Sequence, residues 1–194
     1  MIPTLDLWFL FSGYLVIVSF FVIQRFLRRS VGARSLRGGP YDRGNMILVG
    51  SATGIGLWLP LIMVFLGAAA FPISLVVGVV ALVVIVLGVG IRVWAAIALG
   101  RYHTTTLMMS EGQKVVTSGP YTLVRHPGYL GEIMIWTGFA VVSSNLTLFF
   151  LMPAMFVAVY LYRISAEEKM LVKELSDDYV RYQHRTRRLI PSVY

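Results

Sequence analysis

Long runs of apolar residues, almost free of charge, alternate with short polar segments along most of the chain. The runs cover residues 7–27, 46–70, 73–99, 127 to about 143, and 146–162. A helix of about 20 apolar residues is long enough to cross the hydrocarbon core of a bilayer. The pattern therefore predicts an all-α integral membrane protein with five transmembrane helices, of which the fourth is the shortest.

The polar segments between these runs predict how neighbouring helices are arranged. Only residues 143–145 separate the last two spans, so we expect those spans to form a tight antiparallel hairpin. Pro153 lies inside the fifth span and predicts a kink there. After Tyr162 the chain becomes a charged, amphipathic segment that predicts a helix to about His184. Gly50 and Gly54 have the spacing that favours close approach of another helix.

The distribution of charge predicts the orientation of the spans. The chain has 17 Lys and Arg residues against 9 Asp and Glu, a net charge of +8. All 17 lie in residues 25–45, 92–127 and 163–194, which five spans would place on one side of the membrane. Positive residues concentrate on the cytoplasmic side. We therefore expect the N-terminus outside and the C-terminus in the cytoplasm.

Composition narrows the class of protein and its partners. Hydrophobic residues make up 57% of the chain and the mean hydropathy is +0.76. The basic loops are typical of segments that contact anionic lipid headgroups, and in a membrane protein they do not indicate nucleic acid. Arg92 and Trp94, near the end of the third span, are predicted to anchor it at the interface. The chain has no cysteine, and its three histidines show no metal-ligand spacing, so no metal site is predicted.

Two polar segments carry the candidate chemistry, and the predicted topology places both at the cytoplasmic face. The first is the loop 100–127, and the second begins at Arg163. His126 precedes the hairpin and Arg163 follows it, so an antiparallel pair brings them to the same end. We expect one membrane domain, 1–194, in which residues 1–72 form two N-terminal spans and residues 73–194 form the core with the active site.

Plainer interpretations of these residues stay open at this point. Arg163 and Glu167 have the i,i+4 spacing of an ordinary ion pair on a helix surface. His126 could simply mark the start of a helix, since Pro127 is typical of the first helical position.

Several motifs in the second half of the chain resemble one known family. They are Ser-Gly-Pro-Tyr at 118–121, Arg-His-Pro-Gly-Tyr-Leu-Gly at 125–131, Arg163 with Glu167, Glu168 and Leu171, then Tyr179, Tyr182 and Ile190-Pro191. Together they resemble the isoprenylcysteine carboxyl methyltransferase family, of which this chain would be a minimal, prokaryotic-type member. Arg-His-Pro-x-Tyr by itself also resembles phospholipid methyltransferases and some membrane sterol reductases.

The resemblance implies a function and a set of site residues. It implies S-adenosylmethionine as the methyl donor and the carboxylate of a lipid-modified acceptor, entering from the bilayer, as the substrate. Arg163 matches the catalytic arginine that meets the substrate carboxylate. The implied cofactor-binding residues are Gln113, Lys114, Val115, Val116, Tyr121, His126, Pro127, Gly128, Tyr129 and Glu167.

Three alternative functions remain. The first is methylation of an amine, as in a phospholipid N-methyltransferase. The second is an NADPH-dependent sterol or enoyl reductase, for which the basic loops could bind a phosphate. The third is a membrane scaffold or transport subunit without enzymatic activity. Because a carboxylate is already ionised at neutral pH, its methylation needs no general base, which agrees with a sequence that shows no catalytic dyad.

Overall fold

The structure is a computed structural model that describes residues 4–27, 41–42, 44–67 and 70–191. Most of the basic loop predicted at 25–45 lies outside these ranges. Two short 3₁₀ turns, Gly100–Tyr102 and Gly119–Thr122, lie in the long connection between the third and fourth helices. The described residues form five α-helices: α1 (Thr4–Leu27), α2 (Asn45–Leu66), α3 (Leu75–Leu99), α4 (Pro127–Val142) and α5 (Leu146–Arg185). Over the ranges described, β-pairing is limited to isolated bridges, which confirms the all-helical prediction.

Four of these helices are long and apolar enough to cross a membrane, namely α1, α2, α3 and α5. Many of their large apolar side chains face outward, for example Phe65, which is 90% exposed. The protein is therefore a multi-pass integral membrane protein. The fourth predicted span, α4, has 16 residues. At 1.5 Å per residue it extends about 24 Å, less than the roughly 30 Å hydrocarbon core, so a fifth crossing stays a prediction.

Glycines let α4 pack closely in the centre of the bundle, against α1, α3 and α5. A methyl group on Gly131 would lie 2.6 Å from the carbonyl oxygen of Gly88, and one on Gly138 would lie 2.8 Å from that of Ala81. The predicted role of Gly50 and Gly54 is wrong, because a methyl group at either position would meet no atom of the described residues within 4 Å. The close contact is between α3 and α4, not at these glycines of α2.

The core of the bundle lies where α4 meets α5. The rings of Trp136 and Phe156 are stacked with centroids 4.3 Å apart, and Phe139 packs edge-on against Trp136. All three side chains are almost fully buried. Gly56 of α2 faces this stack, so α2 can approach α5 there.

The connections between helices collect at two opposite ends of the bundle. At one end, Phe71 N–H donates to the carbonyl of Ser144, and Ile73 N–H donates to Asp6 near the start of α1. At the other end, Val124 forms a parallel bridge with Arg187. The loop before α4 and the tail after α5 therefore meet, as the predicted hairpin requires.

The fifth helix continues from the apolar segment into the charged segment. Asn145 caps its start by accepting a hydrogen bond from Leu148 N–H. Pro153 lies inside the helix, whereas the residue with non-helical backbone angles is Ser176, with φ 47° and ψ −127°. The interruption in this helix is thus 23 residues beyond the proline where the sequence predicted a kink.

Candidate active site

One cavity of about 260 Å³ opens among the helices at the end where the loop before α4 meets α5. All five helices and the loop residues 102–108 and 113–116 contribute to its wall. The wall combines charged side chains such as Arg163 and Glu167 with apolar ones such as Phe20 and Val49. A lining of this mixed kind suits a ligand that has both polar and apolar parts.

The structure brings together almost all of the residues predicted for the site. The ones that line the cavity are Gln113, Lys114, Val115, Val116, Tyr121, His126, Gly128, Tyr129, Arg163 and Glu167. The remaining one, Pro127, is buried at the first position of α4 and is not part of the cavity wall. A proline tolerates this position because its missing N–H would have no helical partner there.

The loop strand from Gln113 to Val116 covers one side of the cavity. Gln113 closes a turn with Ser110, whose backbone N–H donates to the Gln113 side chain at 2.8 Å. Val115 and Val116 pack against the cluster that contains Tyr121. Lys114 is exposed at the rim, where it borders the cavity.

Tyr121 is held from the far end of α5. The Tyr182 hydroxyl donates to the Tyr121 carbonyl at 2.7 Å, and both rings are buried. Burial raises the pKa of the Tyr121 phenol well above its ordinary value. Tyr121 therefore stays neutral and presents a hydroxyl group at physiological pH.

Arg163 is buried and points into the cavity wall, with only 5% of its surface exposed. Its Nε donates to the Tyr129 hydroxyl at 2.9 Å, and its Nη2 donates to the carbonyl of Thr105 at 2.6 Å. Such burial overturns the alternative in which Arg163 and Glu167 form a pair on the helix surface. One edge of the guanidinium is thereby oriented by the loop and by α4.

Tyr129 also reaches Glu167, so it connects the two charged residues of α5. Its hydroxyl donates to Glu167 Oε2 at 2.6 Å. His126 Nδ1 lies 3.9 Å from the same oxygen, and the His126 ring stacks on Tyr129 with centroids 5.7 Å apart. His126 is both the residue that precedes α4 and a buried member of the cavity wall.

Glu168 was recognised only as part of a family motif, yet it organises the groups behind the cavity. Its carboxylate lies 2.8 Å from Arg125 Nε, 3.2 Å from His126 Nε2 and 3.0 Å from Arg188 Nε. The backbone adds two bonds, from Arg125 N–H and His126 N–H to the carbonyls of Arg187 and Arg188. Glu168 therefore fixes His126 and the tail to one another. Two adjacent acidic residues on a helix point in different directions. This is the one sequence feature that could have indicated different roles for Glu167 and Glu168.

The predicted role of Arg92 is wrong. This residue does not anchor α3 at the interface, because its Nε pairs with Glu132 Oε1 of α4 at 3.1 Å, with both side chains more than four-fifths buried. Arg92 and Glu132 both line the cavity. Glu132 is the only acidic residue in α4, and that isolation in an apolar helix was the available signal.

These features define a class of protein: a multi-pass helical membrane protein whose cavity holds an arginine and a carboxylate beside apolar helix faces. Comparison with known proteins specifies the class further. The model of the isoprenylcysteine carboxyl methyltransferase (ICMT) family matches residues 79–173, from within α3 to the charged part of α5. The matched region is just under half of the chain, and it is similar to this family of methyltransferases.

Two individual proteins are similar to parts of the chain. The solved structure of the eukaryotic intramembrane Ras methyltransferase ICMT superposes with a TM-score of 0.57 at 24% identity, covering 75% of this chain and 52% of that one. At this identity the likeness shows the fold. "Uncharacterized protein YpbQ" of Bacillus subtilis (strain 168) is 32% identical over 84 residues, which is 42% of this chain and 48% of the relative. The chain thus matches about half the length of each.

Proposed function

We propose that this protein transfers a methyl group from S-adenosylmethionine to the carboxylate of a lipid-modified, isoprenylcysteine-like acceptor at the cytoplasmic face of the membrane. The observation that carries the proposal is the buried Arg163 guanidinium in the cavity wall, held in place by Tyr129 and Thr105. Arginine binds carboxylates through a planar fork of donors, and an oriented fork loses little freedom on binding.

The residues of the cavity fit the proposed methyl donor. Glu167 can accept hydrogen bonds from hydroxyl or amino groups, and His126 can bind a carboxylate or a purine nitrogen. Tyr121 and Tyr129 present aromatic rings, which favour a positively charged ligand group. When bound, S-adenosylmethionine supplies a methyl group on a positively charged sulfur. In this proposal the remaining predicted residues, from Gln113 to Val116 and at Gly128, form the surrounding wall.

In this proposal Arg163 orients the carboxylate of the acceptor, which is already the reactive, ionised form. A carboxylate is ionised at neutral pH, so the protein has no proton to remove. What it supplies is position and charge: the guanidinium holds the carboxylate in one orientation inside a partly enclosed cavity. The apolar chain of the acceptor would contact the apolar side chains that reach the cavity from α1 and α2, such as Phe21 and Val49.

Calorimetry on the detergent-purified protein tests this function against its alternatives. We expect S-adenosylhomocysteine to bind and NADPH not to bind. The next step is mass spectrometry after incubation with S-adenosylmethionine and either S-farnesyl-N-acetylcysteine or phosphatidylethanolamine. A methyl ester on the first supports carboxyl methylation, whereas N-methylation of the second indicates a phospholipid methyltransferase. Binding of NADPH alone would indicate a reductase.

A further inference from the structure

The two N-terminal helices form part of the cavity although they lie outside the region that matches the family. Phe20, Phe21 and Gln24 of α1, with Val49 and Thr53 of α2, line the same cavity as Arg163. The family match begins only at residue 79. This part of the wall thus lies outside the matched region, and its chemistry is informative about what the chain binds.

Gln24 is the unusual residue in this wall. It precedes Arg25 near the end of a mostly apolar helix, and only 5% of its surface is exposed. Among the residues that the structure describes, its amide nitrogen Nε2 has no hydrogen-bond partner. A buried amide without a partner destabilises a protein, and so such groups are commonly satisfied by a ligand or by water.

The surroundings of Gln24 indicate what kind of ligand group would satisfy it. The other residues of α1 and α2 in the wall carry no charge: Phe20, Phe21 and Val49 are apolar, and Thr53 is polar. Four charged residues of the cavity wall have protein partners: Arg92 pairs with Glu132, and Tyr129 connects Arg163 with Glu167. An uncharged N–H donor in an apolar wall suits an uncharged oxygen acceptor carried by an apolar molecule, because a second carboxylate would lose its hydration there without gaining a counter-charge.

We propose that Gln24 is a specificity-determining residue whose side-chain amide donates a hydrogen bond to an uncharged carbonyl of the lipid acceptor, separate from the carboxylate that is methylated. The inference rests on the proposed function, since it assumes that the acceptor occupies this cavity. It implies that an acceptor with an amide carbonyl beside its apolar chain binds better than one without it.

Two acceptors that differ in this group alone test the inference. S-farnesyl-N-acetylcysteine and S-farnesyl-3-thiopropionate share the farnesyl thioether and the carboxylate, and only the first has an amide. We measure the dissociation constant of each for the protein in nanodiscs containing bound S-adenosylhomocysteine. The wild type should prefer the amide compound by roughly tenfold, the value of one hydrogen bond from a buried donor. Gln24→Met keeps the length of the side chain without the donor, and its preference should fall to about twofold or less.

The matched control is Val22→Met, which places the same side chain on the exposed face of α1 and should keep the wild-type preference. Equal affinity of the wild type for both compounds, as expected if only water contacts Gln24, overturns the inference without any variant. Weaker binding of S-adenosylhomocysteine to Gln24→Met also overturns it, because Gln24 would then belong to the cofactor region. If neither acceptor binds, the inference falls. The proposed methyl transfer is judged separately, by whether S-adenosylhomocysteine binds.

Discussion

The hydroxyl of Tyr129 lies 2.6 Å from Glu167 Oε2, and this contact joins the start of α4 to the charged half of α5. The same hydroxyl accepts a hydrogen bond from Arg163 at 2.9 Å. One neutral group thus positions a cation and an anion that the proposed reaction uses for different ligands. Any change in Tyr129 should therefore affect both charged residues.

Removing the bridging hydroxyl should lower activity without unfolding the protein. Tyr129→Phe keeps the ring that stacks on His126 but loses hydrogen bonds to two charged groups. Such bonds contribute about 1.5–3 kcal/mol each, so the loss of both should lower kcat/KM for methyl transfer by at least about 100-fold. Steady-state kinetics would measure this. Tyr162→Phe, at an exposed position of α5, is the control and should behave as the wild type. Equal activity of both variants would contradict the role of the bridge.

Substitutions of Arg163 and Glu167 should affect different ligands: the first should affect the acceptor and the second the cofactor. Arg163→Ala should abolish turnover while the affinity for S-adenosylhomocysteine changes only a few-fold, because the guanidinium is assigned to the acceptor. Glu167→Ala should weaken that affinity, because its carboxylate is assigned to the cofactor. Calorimetry and activity assays on the two variants would show the difference. Equal loss of cofactor binding in Arg163→Ala would move the arginine into the cofactor site, and an unchanged affinity in Glu167→Ala would remove the glutamate from it.

Glu168 should be important mainly for stability. Its carboxylate pairs with Arg125, His126 and Arg188, and its side chain is only 7% exposed. Glu168→Ala leaves the largely buried Arg125 side chain without its counter-ion, and removing one partner of a buried pair costs up to about 3–5 kcal/mol. We expect a clearly lower melting temperature and faster proteolytic cleavage of the tail beyond Arg185. Asp177→Ala, at an exposed site on the same helix, should change neither. An intact tail in Glu168→Ala would show that the backbone bridge between Val124 and Arg187 is sufficient by itself.

The contact between α3 and α4 should tolerate no added methyl group. In Gly131→Ala the new carbon would lie 2.6 Å from the carbonyl of Gly88 and 3.0 Å from the backbone nitrogen of Arg92. These are backbone atoms, so the helices must separate, and we expect a loss of about 1–3 kcal/mol in unfolding free energy. In Gly90→Ala on α3 the new carbon meets no atom within 4 Å in the part of the chain that the structure describes, so this change should be neutral or slightly stabilising. Thermal unfolding in detergent compares the two, and equal stability would contradict the close packing.

The orientation of the protein can be tested with single cysteines, because the natural chain contains none. Thr117 lies in the loop before α4 and Pro72 lies in the connection before α3, and both are exposed. The distribution of basic residues predicts that Thr117→Cys faces the cytoplasm and Pro72→Cys faces outward. A membrane-impermeant maleimide should therefore label Pro72→Cys in intact cells and Thr117→Cys only after the cells are opened. The opposite result would reverse the topology and the proposed side of the active site.

Much of the candidate site could be predicted from local sequence features. An apolar hairpin separates the motif around His126 from Arg163. Its turn has only three residues, so the two helices must be antiparallel, and this brings His126 and Arg163 to the same end. The Arg92–Glu132 pair could not be predicted in this way, because the two residues belong to different predicted spans with no motif between them. Gln24 could not be predicted either, since nothing in an apolar helix shows which of its sides faces a cavity.

The sequence by itself determined the helical class, the approximate limits of the membrane helices and the grouping of polar residues at one end. These follow from the length of apolar runs and from the placement of charge, which are properties of each segment alone. Only the tertiary structure decided which glycines pack, that Arg92 turns inward, and that Tyr129 stands between Arg163 and Glu167. The physical reason is that a membrane helix is apolar on nearly every side, so hydrophobic periodicity does not determine its rotation, and contacts with neighbouring helices do.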